Sequence, residues 1–295
     1  MTATRTTLVV PALGLGDGLL TLPLARSLTA AGREVRVLHD FLPRLGDVVE
    51  SGLALAPRPT RDAAWVAAFV GVDEAFVGHP RDPALAAARK VGLEDVMVSR
   101  KDDWDRRRPF LESLRRLGCA HFDVPWVGDA PGLRATCPDD SPARDAVVLH
   151  PYSSSESKDW HPERMLALGG ALTTAGHRVV VLTAPDAEAR WRDVAGKRLP
   201  VLAEPDLGAV ANHLAGARLY VGPDTGMAHL ASGLGVPTVS LFRRRSSSRV
   251  WRPVWSPSRV VLAPWRLPGA RGDRGWAKRL SLRRVRAVVE RALSS

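Results

Sequence analysis

Asp224, Thr225 and Gly226 follow an apolar run ending Val221-Gly222. They precede a short helical stretch carrying His229 and then a second apolar run, Val236 to Phe242. A strand, turn, helix and strand in this order sets the helix's first amide N–H groups at the carboxyl end of the first strand, where they favour an anion. Asp224 and Thr225 are good helix-starting residues, and Gly226 lets a ligand come close to the backbone. His229, four residues past Thr225, falls on the same side one turn in. The same residues also fit an Asp-capped crossover helix with a partly buried His, and spacing alone leaves both readings open.

A second candidate lies near the start of the chain, in Leu13-Gly14-Leu15-Gly16-Asp17-Gly18. It resembles part of a dinucleotide fingerprint, with Asp40 about where a ribose-binding acid would stand. However, Leu19 occupies the place where Gly or Ala should allow close helix packing. Asp17 would repel a pyrophosphate, so a carboxylate in that turn suits a general base better than a phosphate cradle; a simple helix cap is the other reading. A third candidate is Pro151-Tyr152-Ser153-Ser154-Ser155-Glu156-Ser157-Lys158-Asp159-Trp160. Ser153 and Ser154 could donate to a diphosphate while Lys158 supplies charge, although the glycines of a P-loop are missing and the segment by itself fits a flexible polar loop better. Asp186 and Glu188 follow a later strand and could hold ribose hydroxyls or an adenine amino group.

Along the chain, short apolar strands alternate with helical segments. Strands are expected at Thr6–Ala12, Glu34–His39, Glu74–Val77, Asp95–Ser99, Ala146–His150, Arg178–Thr183 and Pro200–Leu202. Helices are expected at Leu19–Ala31, Phe41–Glu50, Asp62–Val70, Pro83–Val91, Pro109–Leu117, Glu163–Ala175, Ala187–Ala195, Leu207–Ala215 and Ser281–Leu293. This is the pattern of a parallel α/β sheet, started twice. The stretch Asp129–Asp145, rich in Pro, Gly and Asp, reads as a linker. The chain then divides into 1–138, a linker at 139–145, a second domain at 146–280 and a final helix at 281–295 that could pack back on the first domain. Arg100 to Arg108 is densely charged around Trp104 and reads as a solvated loop on the sheet edge that carries Asp17.

The 295 residues are 45% hydrophobic and 25% charged, as in a soluble globular protein. No apolar run is long enough to span a bilayer, and no secretion signal is recognisable. Cys119 and Cys137 show no metal-ligand spacing, which suits a reducing cytoplasm. The net charge is +11, yet Arg243 to Ser295 alone holds fifteen Lys or Arg against Asp273 and Glu290, leaving the rest slightly acidic. That segment would attract phosphate-bearing partners. Its Trp251, Trp255, Trp265 and Trp276 fit an anionic lipid surface or a stacking platform, and equally a loop whose rings pack down while arginines snorkel.

Three of these segments together resemble the heptosyltransferases of glycosyltransferase family nine. The likeness is strongest in Gly222-Pro223-Asp224-Thr225-Gly226-Met227-Ala228-His229-Leu230-Ala231 with Gly235-Val236-Pro237-Thr238, and is supported by the Asp17 turn and Lys158-Asp159-Trp160. It implies a GT-B fold, two Rossmann-like domains with parallel sheets facing across a cleft. It also implies an inverting, metal-independent transfer of a sugar, heptose, from a nucleotide-diphosphate donor, ADP-heptose, with no cofactor. Carried over by residue, Asp17 becomes the base, and Gly16, Gly18, Arg100 and Trp104 fall on the acceptor side. Ser153, Ser154, Lys158, Asp186, Glu188, Asp224, Thr225, Gly226 and His229 serve the donor. Tyr152 stands where the family usually has Gly, and Arg243-Arg244-Arg245 replaces a Gly-containing turn, so the donor pocket is expected to differ there. The acceptor is expected to be a glycolipid core of the lipopolysaccharide type or a soluble metabolite, with an anionic or membrane-associated one mildly favoured. The expected enzyme is a monomer in the cytoplasm or at the inner face of the membrane, with nucleic acid not a partner. The alternatives are an NAD-linked oxidoreductase built on the Gly14–Asp40 unit and a non-catalytic binder of anionic surfaces or nucleic acid through the basic tail.

Overall fold

The computed structural model describes residues 4–50, 52–153, 155–195, 199–264 and 275–294. Ser154 and Trp265 therefore lie outside the described residues. The chain forms two compact units, Met1–Arg134 and Ala135–Ser295.

In the first unit a five-stranded parallel sheet has the order β3-β2-β1-β4-β5. Its strands are β1 (Thr6–Val10), β2 (Glu34–Leu38), β3 (Ala54–Ala56), β4 (Glu74–Val77) and β5 (Val96–Val98). The helices between and after them are α1 (Leu15–Ala30), α2 (Asp62–Ala68), α3 (Pro83–Lys90) and α4 (Phe110–Phe122). β1 lies in the middle of the sheet and, with β4, buries Leu8, Val9, Val10 and Ala75, Phe76, Val77, as strands covered on both faces must, while the buried Thr7 hydroxyl at the start of β1 donates to the buried Glu74 carboxylate at the start of β4. Ten of the sixteen residues of α1 are buried, including Leu19, Leu22, Leu24 and Leu28. It therefore has no polar stripe and is a central helix, packed between the sheet and α4. Leu42–Val48, expected as a helix, is a 3-10 turn broken at Gly46, whose φ is +55°. The short edge strand β3 had no sequence signal.

The second unit is a six-stranded parallel sheet of order β11-β10-β9-β6-β7-β8. Its strands are β6 (Val147–Leu149), β7 (Val179–Thr183), β8 (Val201–Ala203), β9 (Leu219–Pro223), β10 (Thr238–Phe242) and β11 (Ser258–Leu262). Helices α5 (Pro162–Thr174), α6 (Glu188–Ala195), α7 (Leu207–Ala215), α8 (Gly226–Gly233), α9 (Arg245–Trp251), α10 (Trp276–Arg279) and α11 (Leu282–Leu293) cover it. Strand order reverses between β6 and β9, the point at which open α/β sheets bind ligands beyond their carboxyl ends. Part of the tail, where no helix or strand is expected before Ser281, is regular: α9 and β11 extend the fold, and β11 pairs in register with β10 from Ser258 opposite Thr238 to Leu262 opposite Phe242. Val285 and Val289 of α11 are fully buried in the core of this unit together with Leu168, Leu172 and Val261. No helix among the described residues is long and apolar enough to cross a membrane.

Candidate functional site

In the first unit the glycine turn leaves the carboxyl end of β1 and enters α1 with Gly14 as the residue before its first turn. Asp17, the third helical residue, reaches back to accept the Gly14 amide at 3.2 Å. The capping role weighed for Asp17 is thus present, and the carboxylate is held in place by it. His39, at the end of β2, fixes the same turn from below. Its Nε2 donates toward the carbonyls of Ala12 at 3.1 Å and Gly14 at 3.2 Å. Its Nδ1 accepts the amides of Phe41 at 3.2 Å and Leu42 at 3.3 Å. These partners settle the neutral tautomer, and burial pushes the imidazole pKa below its usual value while the backbone bonds work against that shift.

A second clamp comes from Arg58. It donates from Nη1 to Pro11 O at 3.0 Å and from Nη2 to Asp82 Oδ2 at 2.7 Å, both side chains being buried, and its guanidinium lies over Trp65. By bridging the Pro11 carbonyl and the Asp82 carboxylate, the guanidinium holds the chain just before the turn. Asp40, the acid of the dinucleotide reading, is spent on the backbone amide of Arg58 at 3.1 Å. Arg100 and Trp104 follow β5 at the same carboxyl edge, two strands from β1. There the Trp104 indole donates to Ser99 Oγ at 3.2 Å and meets Phe110 edge-on.

In the second unit, Asp224, Thr225 and Gly226 form the turn between β9 and α8, with Thr225 at the N-cap position, its side chain making no capping bond, and Gly226 opening the helix. Lys158, on a 3-10 turn after β6, places Nζ 3.4 Å from Asp224 Oδ2. Burial raises the Asp224 pKa and the Lys158 charge pulls it down, so the cation stabilises a carboxylate that its surroundings disfavour. The Tyr220 hydroxyl lies 3.3 Å from Thr225 Oγ1, and burial pushes that phenol's pKa up. His229 is buried with its ring 6.0 Å from that of Trp255, and burial lowers its pKa to about 4. His150, at the end of β6, is held by Leu182 O at 3.1 Å and is likewise lowered to about 4. Both imidazoles are neutral at pH 7.

Beside this turn a cleft of about 920 Å³ opens among the loops after β6, β7 and β10 and the start of α10. Ser153, Asp186, Tyr152, Arg190, Arg243 and Arg244 line it, with Trp276 and Lys278. Of the residues expected to serve a donor, Ser153 and Asp186 thus line the cleft. Lys158, Asp224, Thr225 and Gly226 cluster at the adjoining turn. Glu188 pairs instead with Arg192, one helical turn on, at 2.6 Å. The Ser153 hydroxyl is engaged within its own loop, 2.6 Å from both Asp159 Oδ1 and Ser155 O. Tyr152 accepts a hydrogen bond from Trp191 and meets its ring edge-on. Among the described residues no group of three or more His, Cys, Asp or Glu is arranged to hold a metal ion.

The family model of glycosyltransferase family 9 (heptosyltransferase) matches residues 89–267, more than half of the chain. The chain belongs to glycosyltransferase family 9. Among solved structures, the family 9 glycosyl transferase of Veillonella parvula is 17% identical over 100% of this chain and 99% of its own, with a TM-score of 0.75. ADP-heptose LPS heptosyltransferase II of E. coli is 17% identical over 98% and 99%, with a TM-score of 0.73. E. coli heptosyltransferase WaaC with ADP-2-deoxy-2-fluoro heptose is 20% identical over 97% and 99%, with a TM-score of 0.69. At these identities the likeness is one of fold, and it is the GT-B fold of heptosyltransferases. No curated protein matches in sequence.

The family 9 assignment makes the protein a glycosyltransferase and removes the NAD-linked reading of the Gly14–Asp40 unit. The matched span includes Arg100, Trp104 and every donor-side residue, whereas Gly16, Asp17 and Gly18 precede it. Sequence reasoning missed His39, Arg58 and Asp82. A buried Arg–Asp pair 24 residues apart leaves no local pattern, and His39 was visible only as the last residue of a strand. Trp276, buried and donating to Ser157 O at 2.8 Å, shows that one tail indole packs down.

Proposed function

We propose that this family 9 enzyme is an inverting, metal-independent transferase that moves heptose from ADP-heptose to an acceptor hydroxyl. In this reading Asp17 takes the acceptor proton, with Gly16, Gly18, Arg100 and Trp104 shaping the acceptor side. Lys158 and the amides at Thr225 and Gly226 neutralise the departing ADP. Ser153 and Ser154 add hydrogen bonds to that diphosphate, Asp186 and Glu188 hold the ribose or the adenine, and Asp224 and His229 hold the donor. The observation that carries it is a division of charge. A carboxylate stands on the turn at the carboxyl edge of one sheet, and a cation beside a helix N-terminus stands at the carboxyl edge of the other. Glycosyl transfer needs both, because negative charge builds on the leaving diphosphate while a base must act on the sugar's other face. The ADP-sugar in the WaaC structure supports the choice of donor. The basic character of the chain beyond Arg243 favours an anionic acceptor, a membrane-associated glycolipid before a soluble metabolite, met at the inner face of the membrane.

The test is a thermal-shift screen of nucleotide sugars, followed by NMR of the anomeric product with candidate acceptors, with and without EDTA. Stabilisation by ADP-heptose and an inverted, EDTA-insensitive product are expected. Retained configuration, dependence on metal, or no response to any ADP-sugar would each remove the corresponding part of the reading.

A further inference from the structure

We infer that Tyr220 is a positioning residue for the donor: its phenol holds the Thr225 hydroxyl off the cap of α8 and so keeps the first amides of that helix open to a diphosphate. The inference rests on the reading of this turn as the donor site. A Thr that precedes a helix ordinarily turns its oxygen back to accept the amide of the second or third helical residue. Thr225 has the extended backbone of such a residue, φ −142° and ψ 164°, yet its side chain makes no capping bond. Its hydroxyl instead shares a hydrogen bond with the Tyr220 phenol at 3.3 Å. The Ala228 amide is already bonded to the Thr225 carbonyl at 3.2 Å, so the donor that a capping hydroxyl would take is the Met227 amide. A hydroxyl folded onto that amide would compete with any anion at the helix start.

The reach of the phenol is built into the strand. Tyr220 and Gly222 stand two residues apart on β9 and so share one face of the sheet. A Cβ on Gly222 would lie 2.7 Å from the Tyr220 hydroxyl oxygen and 2.9 Å from the His150 carbonyl oxygen. Glycine at this position therefore leaves the space through which the phenol extends to Thr225. The Tyr220 ring is fully buried, and close packing fixes its direction. A further polar group at this turn is also unspent: His229, one turn along α8, is buried with its Nδ1 unpartnered among the described residues.

The experiment compares the wild type, Y220F, T225A and Y220F/T225A by calorimetric titration with ADP, melting temperature and amide hydrogen exchange of the free protein by NMR. Y220F is expected to keep its melting temperature, to lose about fivefold in ADP affinity and to slow Met227 exchange about fivefold, as the released Thr225 hydroxyl caps the helix. On the T225A background, which has no hydroxyl to fold back, the same Tyr→Phe change should alter both quantities by less than about twofold. ADP affinity in Y220F within about twofold of wild type, or the same loss on both backgrounds, would overturn the role in donor binding. Unchanged Met227 exchange in Y220F would end the inference whatever ligand binds. Wild-type protein that ignores ADP, with Met227 exchange still slowed in Y220F and not in the double variant, would sink the ADP donor and leave Tyr220 as the residue that keeps the turn uncapped.

Discussion

The imidazole of His39 occupies the space that a side chain on Gly18 would need: a Cβ there would come within 2.8 Å of His39 Cε1. Gly18 is the fourth residue of α1 and follows Asp17 directly. At an ordinary helical position Gly→Ala gains about 0.5–1 kcal/mol. Here the ring is fixed by bonds at both nitrogens and has little room to yield, so Gly18→Ala is expected to cost about 1–3 kcal/mol. It should also slow sugar transfer by displacing the turn that carries Asp17. Thermal unfolding and turnover together check this, and a variant as stable and active as wild type would show that the ring moves freely.

Asp17→Asn separates the two roles of that carboxylate. The amide keeps an oxygen to accept the Gly14 N–H, so stability should change by less than about 1 kcal/mol. Turnover should drop about a hundredfold or more, because an amide cannot take a proton. Donor affinity should stay near wild type. Turnover at the wild-type level would leave Asp17 as a cap alone.

His229 gives the fold a dependence on acid. Its pKa falls from 6.5 when unfolded to about 4 when folded, chiefly through burial. Between these values the unfolded chain binds the extra proton, so stability present above pH 6.5 is lost as pH falls toward 4, by about 3 kcal/mol at most from this group. His229→Gln should flatten the fall of denaturant midpoint between pH 6.5 and 4. An unchanged slope would place the acid sensitivity elsewhere, His150 being the next group to replace.

Trp160 ties the cleft loop to the C-terminal segment. Its ring is fully buried and its indole N–H donates to Leu280 O at 3.0 Å, while Arg164 donates to the same carbonyl at 2.6 Å. Trp160→Phe should cost about 1–2 kcal/mol, mainly the hydrogen bond and the lost ring area. Trp160→Ala should cost about 3–5 kcal/mol. Denaturant titration of the two variants gives both numbers, and equal losses would mean that the cavity relaxes around either side chain.

Much of the architecture was legible before any coordinates. The apolar runs at Glu74–Val77 and Leu207–Ala215 became a strand and a helix with those bounds, since a strand buried on both faces and an Asp-capped apolar helix each announce themselves locally. The misses have equally local causes. Ala54–Ala56 is three residues on a sheet edge and too short for a period. Ser258–Leu262 lies among prolines and arginines, and it became a strand only because β10 offered it a paired edge.

By itself the sequence determined the strand-and-helix alternation, its restart near Ala146 and the types of residue on the turns at strand ends, because burial and capping write their pattern into neighbouring positions. Only the tertiary structure decided how those groups are employed. It gave Asp224 to Lys158, Glu188 to Arg192 and the Ser153 hydroxyl to Asp159, and it brought Arg58 to Asp82 and to Pro11 beneath the Asp17 turn. A charge's partner depends on which strands become neighbours, and that is set by packing of the whole sheet rather than by anything within reach along the chain.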